Sequence, residues 1–349
     1  MSLLRHHLPA TTVWCDDQGR PIPAHFNTDV NAEHAIVQKG AALVDLTHCG
    51  SITLAGAERV QFLNGLVTNQ VKDVTATRSV HASLLTPQGR FLWDFTLVAE
   101  EERLHLLTEP GRVAPLLERL AMYRLRAKVE IARTTDTLGQ LALIGPEAGA
   151  TLAGLFPGVD PAAPLGTTVV LSSTLRLWRD PRHVAHGWRL LAPAADLPAL
   201  WDRLATLATP VGVIACEGNR IRHGLPRGAM ELIPEETLPL EAGGKELNGV
   251  SFTKGCYVGQ ETTARTHGRG TVKWRLHQLL LPADADVALR APVLTPRGKE
   301  AGSVTSYARL EEGGMALAML RRTDVLEHPF LTVDGIPVTV QVPPWATWE

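Results

Sequence analysis

Apolar and polar positions alternate along this chain in two rhythms, and the switch between them marks the elements. Val80 to Leu85 and Phe91 to Val98 carry strand-type runs separated by Thr86-Pro87-Gln88-Gly89, which predicts a hairpin. Ala41 to Leu46, Ser51 to Gly56 and Leu104 to Leu107 read as further strands. Helical spacing predicts helices over Asn31 to Lys39, with Gly40 as the cap, over Glu58 to Leu66, and over Val113 to Leu125. From Val129 the pattern restarts: a strand, the strand Leu141 to Gly145, a helix from Glu147 to Leu155, strands near Val169 to Trp178 and His186 to Leu191, and a helix from Asp196 to Leu207. The pattern hints at two successive strand–strand–helix units. The first forty residues otherwise read as mixed.

Residues 226–247, rich in proline, glycine and acids, predict an irregular segment of the length that usually carries function or links domains. Beyond His277 only short strands and turns remain, the mark of a separate small all-β domain.

Composition narrows the functional classes. The chain has 349 residues, enough for two or three domains, with 45% hydrophobic and 20% charged residues. A formal net charge of -2 supplies no global basic field for nucleic acid. No run reaches the length of a membrane-spanning helix, and the N-terminal stretch to Asp17 lacks the apolar core of a signal peptide. These features lead to the expectation of a cytoplasmic protein without a membrane partner. Cys15, Cys49, Cys216 and Cys256 are scattered, with no Cys-x-x-Cys pair, so no permanently bound metal or locally ligated cluster is expected. His183 and His186 read as surface loop residues.

One segment concentrates candidate chemistry: Asn248-Gly249-Val250-Ser251-Phe252-Thr253-Lys254-Gly255-Cys256-Tyr257-Val258-Gly259-Gln260-Glu261, continuing to Arg265. A thiol reacts as its thiolate, which nearby cations and helix N-termini favour. Here a cysteine sits between glycine-bearing turns, two residues after Lys254, and a helix is predicted to start at Gln260 with Glu261 in its first turn. A reactive thiol and a buried structural cysteine both fit this placement. His267 is the nearest candidate proton shuttle.

The stretch Lys254-Gly255-Cys256-Tyr257-Val258-Gly259-Gln260-Glu261, with Arg265, resembles the signature of the YgfZ family. These are folate-binding-type proteins of iron–sulfur cluster assembly and repair, related to the T-protein (aminomethyltransferase) of the glycine cleavage system. Together with Leu238-Pro239-Leu240-Glu241 and Thr266-His267, the match resembles the branch that includes the mitochondrial cluster-assembly factor. The resemblance implies an α+β, T-protein-like multi-domain body around a central folate-type pocket, closed by a C-terminal β-barrel domain. It divides the chain into an N-terminal folate-binding-like domain over residues 1–128, a second α+β domain carrying the motif over 129–275, and the barrel over 276–349.

For the site, the resemblance implies Cys256 as the key thiol, assisted by Lys254 and Arg265, with Gly255, Tyr257, Gly259, Gln260 and Glu261 supporting the motif. Tetrahydrofolate or a related folate is the implied cofactor. Asp94 matches one of two adjacent acids of the T-protein, with Trp93 in place of the other, and reads either as a pterin contact or as an ordinary strand aspartate. Arg222 stands where a glutamate is expected to contact the pterin, and a guanidinium cannot accept its N–H groups. Arg220 is either a cation for the folate tail or a structural ion-pair partner. Asn69 matches a turn in which Gln70 replaces an acid. Three functions follow from this reading. The chain is an auxiliary assembly factor serving iron–sulfur assembly proteins or client enzymes, a folate-dependent aminomethyl transferase, or a tRNA-modification accessory protein.

Overall fold

The computed structural model describes residues 2–17, 19–26, 29–270, 272–328 and 330–348. The chain opens with a hairpin of β1 (Val13–Asp17) and β2 (Arg20–His25). Next comes α1 (Val30–Lys39), capped by Asp29, whose carboxylate accepts from the Asn31 amide at 2.9 Å. Then follow β3 (Ala42–Asp45), β4 (Gly50–Ala55), α2 (Arg59–Asn64), β5 (Val80–Leu85), β6 (Phe91–Glu100), β7 (Arg103–Thr108) and α3 (Val113–Arg124). The next run holds β8 (Glu130–Arg133), β9 (Leu138–Ile144), α4 (Ala148–Leu155), β10 (Thr168–Val170), β11 (Arg176–Arg179), β12 (Trp188–Pro193), α5 (Leu197–Ala205), β13 (Thr209–Val211), α6 (Val213–Arg222) and α7 (Gln260–Arg269). Last come β14 (Trp274–Leu281), β15 (Pro292–Leu294), β16 (Glu300–Leu310), β17 (Gly313–Arg321), α8 (Arg322–Glu327), β18 (Leu331–Val333) and β19 (Ile336–Gln341).

Two sheets and a barrel result. The first sheet has the order β5-β6-β7-β4-β8, the second β10-β11-β12-β9-β3-β13, and the barrel closes as β14-β17-β16-β15-β18-β19. Each half of the body lends the other a strand. β3 pairs with β9 and β13, while β8 pairs back onto β4. The chain segments divided at residue 128 therefore share both sheets. α2 and α3 cover the first sheet around Ile52, Leu54, Leu97 and Leu116, all fully buried. α4 and α5 cover the second, around Leu143, Leu152 and Leu204. Between the sheets Val98 and Leu107 meet Trp178 and Leu191, which sets the spacing of the central space.

Several expected elements differ in the structure. The first residues, read only as mixed, include the β1–β2 hairpin. The stretch from Val169 to Trp178 is a pair of short strands, because the Leu171 amide bonds the Leu175 carbonyl at 3.0 Å and turns the chain. α6 lies where the pattern predicted no element. Residues 226–247 are irregular as expected, apart from one helical turn at Pro239–Ala242.

The barrel is seated on the body through a carboxylate. Glu231 is fully buried and accepts from the Arg220 guanidinium at 3.2 Å, the Arg227 amide at 2.8 Å, the Thr305 hydroxyl at 3.2 Å and the Ser306 hydroxyl. Gln278 of β14 donates to the carbonyls of Ile221 and Arg222, both at 2.9 Å, and so satisfies the open end of α6. Removing one partner of a buried ion pair strands the other charge. We expect Glu231→Ala to lower unfolding stability by about 3–5 kcal/mol in urea titrations. Glu231→Gln, which keeps an acceptor, should cost less.

Candidate functional site

The motif segment forms a loop and the first turns of α7. Lys254 is buried, and its ammonium donates to the carbonyls of Asn64 at 2.8 Å, Val67 at 2.6 Å and Asn69 at 2.8 Å. An ammonium has three donors, and all three are engaged. Burial lowers the Lys254 pKa to about 8, so the group keeps its proton at neutral pH. Lys254 also lies 5.0 Å from the ring centre of buried Tyr257. The loop is thereby fixed from inside, and Cys256, a free thiol, stands exposed on it.

Glycine is required where α7 meets the β5–β6 hairpin. At Gly259 φ is +83° and a Cβ would lie 2.5 Å from the Thr86 carbonyl, while at Gly89 a Cβ would lie 2.7 Å from Thr262. Gly255 has open space around it. Gln260 begins α7 with its amide on the Tyr257 carbonyl at 3.2 Å. Arg265 pairs with Glu261 one turn earlier on the exposed helix surface. The expected grouping of Lys254 and Arg265 on the thiol is not what forms. The lysine turns inward to carbonyls and the arginine to its own helix. His267 stacks on Phe252 with ring centres 3.9 Å apart, beside the same loop.

A cavity of about 280 Å³ occupies the space between the two sheets. Asp94, Phe95 and Thr96 of β6, Thr108 and Glu109 at the end of β7, and Trp178 of β11 line it. Asp94 and Trp93 are neighbours on one strand, and successive side chains point to opposite faces. Asp94 therefore faces the cavity, while Trp93 packs into the core under the first sheet with the Arg112 guanidinium 5.3 Å from its ring centre. The implied ligand contact at Trp93 is thus corrected by strand alternation.

The other expected contacts divide in the same way. Arg220 lines the cavity, but its guanidinium is spent on Glu217 at 2.9 and 3.0 Å, Glu231 at 3.2 Å, the Leu225 carbonyl at 2.6 Å and Ser306 at 2.8 Å. Arg222 turns away to the barrel, where both of its terminal nitrogens bind Glu312, at 2.8 and 2.9 Å. Asn69 lies outside the cavity lining and clamps two backbone carbonyls, His81 at 2.8 Å and Asn248 at 2.7 Å. His186, expected on the surface, is buried and lines the cavity.

The ionic wall of the cavity was not foreseen. Arg227 binds Asp17 at 2.7 and 2.9 Å and Glu109 at 3.1 Å, with Glu217 at 3.9 Å. Burial pushes Glu109 up to about 8; Asp94 adds to the rise and Arg227 opposes it. Asp180 is held well below the usual carboxylate range by Arg182, against the cost of its burial. Cys15, Cys49 and Cys216 also line the cavity, and burial raises all three thiols, Cys49 to about 12. They stay protonated, unlike a nucleophilic cysteine. Among the described residues no group of three or more His, Cys, Asp or Glu side chains is placed to hold a metal ion.

A small recess of about 30 Å³ shares His81, Asp94, Arg182 and Pro226 with the cavity and runs to Gly249, at the root of the motif loop. Cys256 itself is not among the lining residues, so thiol and cavity are two places connected through that root.

Comparison with known proteins follows this geometry. Residues 4–245 match the model of the GCVT N-terminal domain, and residues 273–348 match that of the CAF17 C-terminal β-barrel domain. The mouse protein named iron–sulfur cluster assembly factor IBA57, mitochondrial, is 31% identical over 314 residues, covering 84% of this chain and 82% of its own. The human protein of the same name is 32% identical over 294 residues, covering 77% of this chain and 74% of its own. The aminomethyltransferase T of the glycine cleavage system from Bartonella henselae superposes with a TM-score of 0.83 at 20% identity, over 99% of this chain and 97% of its own, and so shares the fold. The names of the relatives place them in mitochondria, which overturns the cytoplasmic expectation.

Two predictions follow from the site's electrostatics. Lys254→Met takes the ammonium from three carbonyls, one buried and two part-buried. It should cost roughly 2–4 kcal/mol and open the 248–260 loop to limited proteolysis. The second concerns histidines that burial keeps neutral. His81, facing Arg182, Asp94 and Asp180, is lowered to about 4, and His277 of the barrel also to about 4. Their contribution to stability is complete above the unfolded pKa near 6.5 and is lost as pH falls through 4. Thermal unfolding followed from pH 7 to 4 should show this loss. His277→Gln should remove a share of about 3 kcal/mol from it, at about 1.4 kcal/mol per pKa unit.

Proposed function

The chain belongs to the family of the GCVT N-terminal domain with a CAF17-type C-terminal β-barrel, and on that premise we propose that it serves iron–sulfur cluster assembly or repair, with Cys256 as the working thiol. The observation that carries the reading is the presentation of the thiol. Of four cysteines only Cys256 is exposed, and it stands on a loop held rigid by the three carbonyl bonds of Lys254. The similarity to two proteins named as assembly factors supports the role. In the proposed step the Cys256 sulfur displaces one of the partner's ligands from an iron of a cluster the partner carries, the new iron–sulfur bond forming as the old iron–ligand bond breaks, and the thiol proton passes to the departing ligand. That bond breaks when a client thiolate takes the iron. Exposed Phe252, stacked on His267, offers such a partner an apolar contact beside the thiol.

The central cavity fits the ring of a reduced folate. Asp94 supplies a carboxylate with no hydrogen-bond donor among the described residues, and Trp178 supplies a flat apolar wall. When bound, a reduced folate supplies ring nitrogens able to take up a one-carbon unit. The part played by the chain is to hold the ring at Asp94 and exclude water. Aminomethyl transfer is not favoured, because Arg222, at the position of the implied second acid, is committed to Glu312 outside the cavity.

The test is complementation of a deletion strain with Cys256→Ala, reading the activity of a radical-type iron–sulfur enzyme beside protein abundance. Activity should fall at least about tenfold at unchanged abundance, since an exposed loop side chain contributes little to folding. Full activity in that variant would end the assignment of Cys256.

A further inference from the structure

The end of α3 presents apolar and basic side chains together. From Arg119 to Val129 the chain holds four cations, Arg119, Arg124, Arg126 and Lys128, and no acid. Among them stand Met122, 68% exposed, and Leu125, 87% exposed, which is the most exposed large apolar side chain among the described residues. Tyr123 and Ala127 of the same run turn the other way and pack onto the core of the first sheet, as do Val60 and Phe62 of α2. The segment is therefore anchored, and its apolar tips are held out in water by the fold.

The backbone is strained where the leucine is presented. Leu125 closes α3 with φ +44° and ψ −107°, a conformation that a residue with a branched side chain rarely adopts. Such strain persists only where the surroundings impose it, and it collects at functional sites. Here the Ala127 amide on the Arg124 carbonyl at 2.8 Å and the Val129 amide on the Ala127 carbonyl at 2.9 Å hold the turn beyond it. The cations, by contrast, are unspent. Among the described residues none of the four takes part in an ion pair, and Glu58, which α2 brings up to the segment, is engaged by the Lys128 amide at 2.8 Å. Glu118 and Glu130 flank the run, so four cations against two acids leave a net charge of +2 over residues 118–130.

We propose that the end of α3 docks on an anionic lipid surface, with Met122 and Leu125 entering the headgroup layer and the four cations meeting lipid phosphates. Charge complementarity selects an anionic partner. The standing of the apolar tips selects a bilayer: two side chains so far clear of the protein form no groove for a partner's residues, whereas a fluid headgroup layer closes around them. A protein partner would need on the order of 800 Å² of fitted surface on this side. The expectation of no membrane partner rests on the lack of a spanning helix. Among the described residues no helix is long and apolar enough to cross a membrane, and contact at the surface requires none. Each basic residue held at an anionic surface strengthens binding about fivefold, and salt screens that share.

The experiment is co-sedimentation of the full chain with vesicles of phosphatidylcholine alone and of equimolar phosphatidylcholine and phosphatidylglycerol. The expected result is binding to the mixed vesicles at least about tenfold tighter than to the neutral ones. Two double variants, checked for folding by circular dichroism, separate the contributions. Met122→Ser with Leu125→Ser, and Arg124→Glu with Arg126→Glu, should each weaken binding at least about tenfold. Arg297→Glu with Arg309→Glu, an equal charge change on exposed positions of the barrel, should leave it within about twofold. Equal binding to both kinds of vesicle would overturn the proposal, as would wild-type binding by either folded α3 variant. A loss in the barrel variant equal to that in the Arg124/Arg126 variant would reduce the effect to net charge and overturn it too. No binding to the mixed vesicles would do the same and would turn the patch over to an acidic protein. The cluster-assembly role is untouched by any of these outcomes, since it stands or falls with the Cys256→Ala complementation.

Discussion

Two guanidiniums, one buried and one half-buried, hold this molecule together. Arg220 leaves α6 and meets Glu231 of the irregular segment and Ser306 of the barrel. Arg227, in that same segment, reaches Asp17 of the N-terminal hairpin and Glu109 at the end of β7. A buried charge is costly unless paired, so these contacts are tolerated only as a complete set. The hairpin, the first sheet, α6 and the barrel thus all meet at two side chains seven residues apart. The walls of the cavity owe their positions to this arrangement rather than to apolar packing alone.

The same network leaves few of the cavity's polar groups free for a ligand. Its polar groups are mostly turned on one another. What remains for a ligand is the carboxylate of Asp94, whose one ion-pair contact among the described residues is His81 at 3.6 Å, and the wall of Trp178. The motif loop follows a different economy of contacts. Its charged residue points inward to carbonyls and its thiol points to water. Asn69 joins the two regions, since one amide group holds both the His81 carbonyl at the cavity wall and the Asn248 carbonyl at the start of the loop.

Local pattern made part of this legible. The β5–β6 hairpin, α3 and the start of α7 at Gln260 fall where alternation, helical spacing and turn residues put them. The barrel follows from its short strands. The β1–β2 hairpin escaped because Pro21 and Pro23 break the apolar alternation, and α6 because its face is mixed, with Glu217, Asn219 and Arg220 turned inward. The cavity network escaped because its members lie up to 210 residues apart, and no local pattern records which acid meets which guanidinium. The orientation of Trp93 against Asp94 was recoverable in principle, since strand alternation forbids both from facing one ligand. The inward turn of Lys254 had no such signal.

The exchange of strands between the two sheets governs how this chain comes into being. β3, the short buried run Ala42–Asp45, finds both of its neighbours only after β9 and β13 have been made. At about 5–20 residues per second, β9 emerges from a ribosome roughly five to twenty seconds after β3. During that interval an apolar segment waits with its edge hydrogen bonds unmade, and long-range pairing of this kind folds slowly. Until synthesis passes the middle of the chain, then, the nascent protein is a client for whatever shields sticky segments in its compartment.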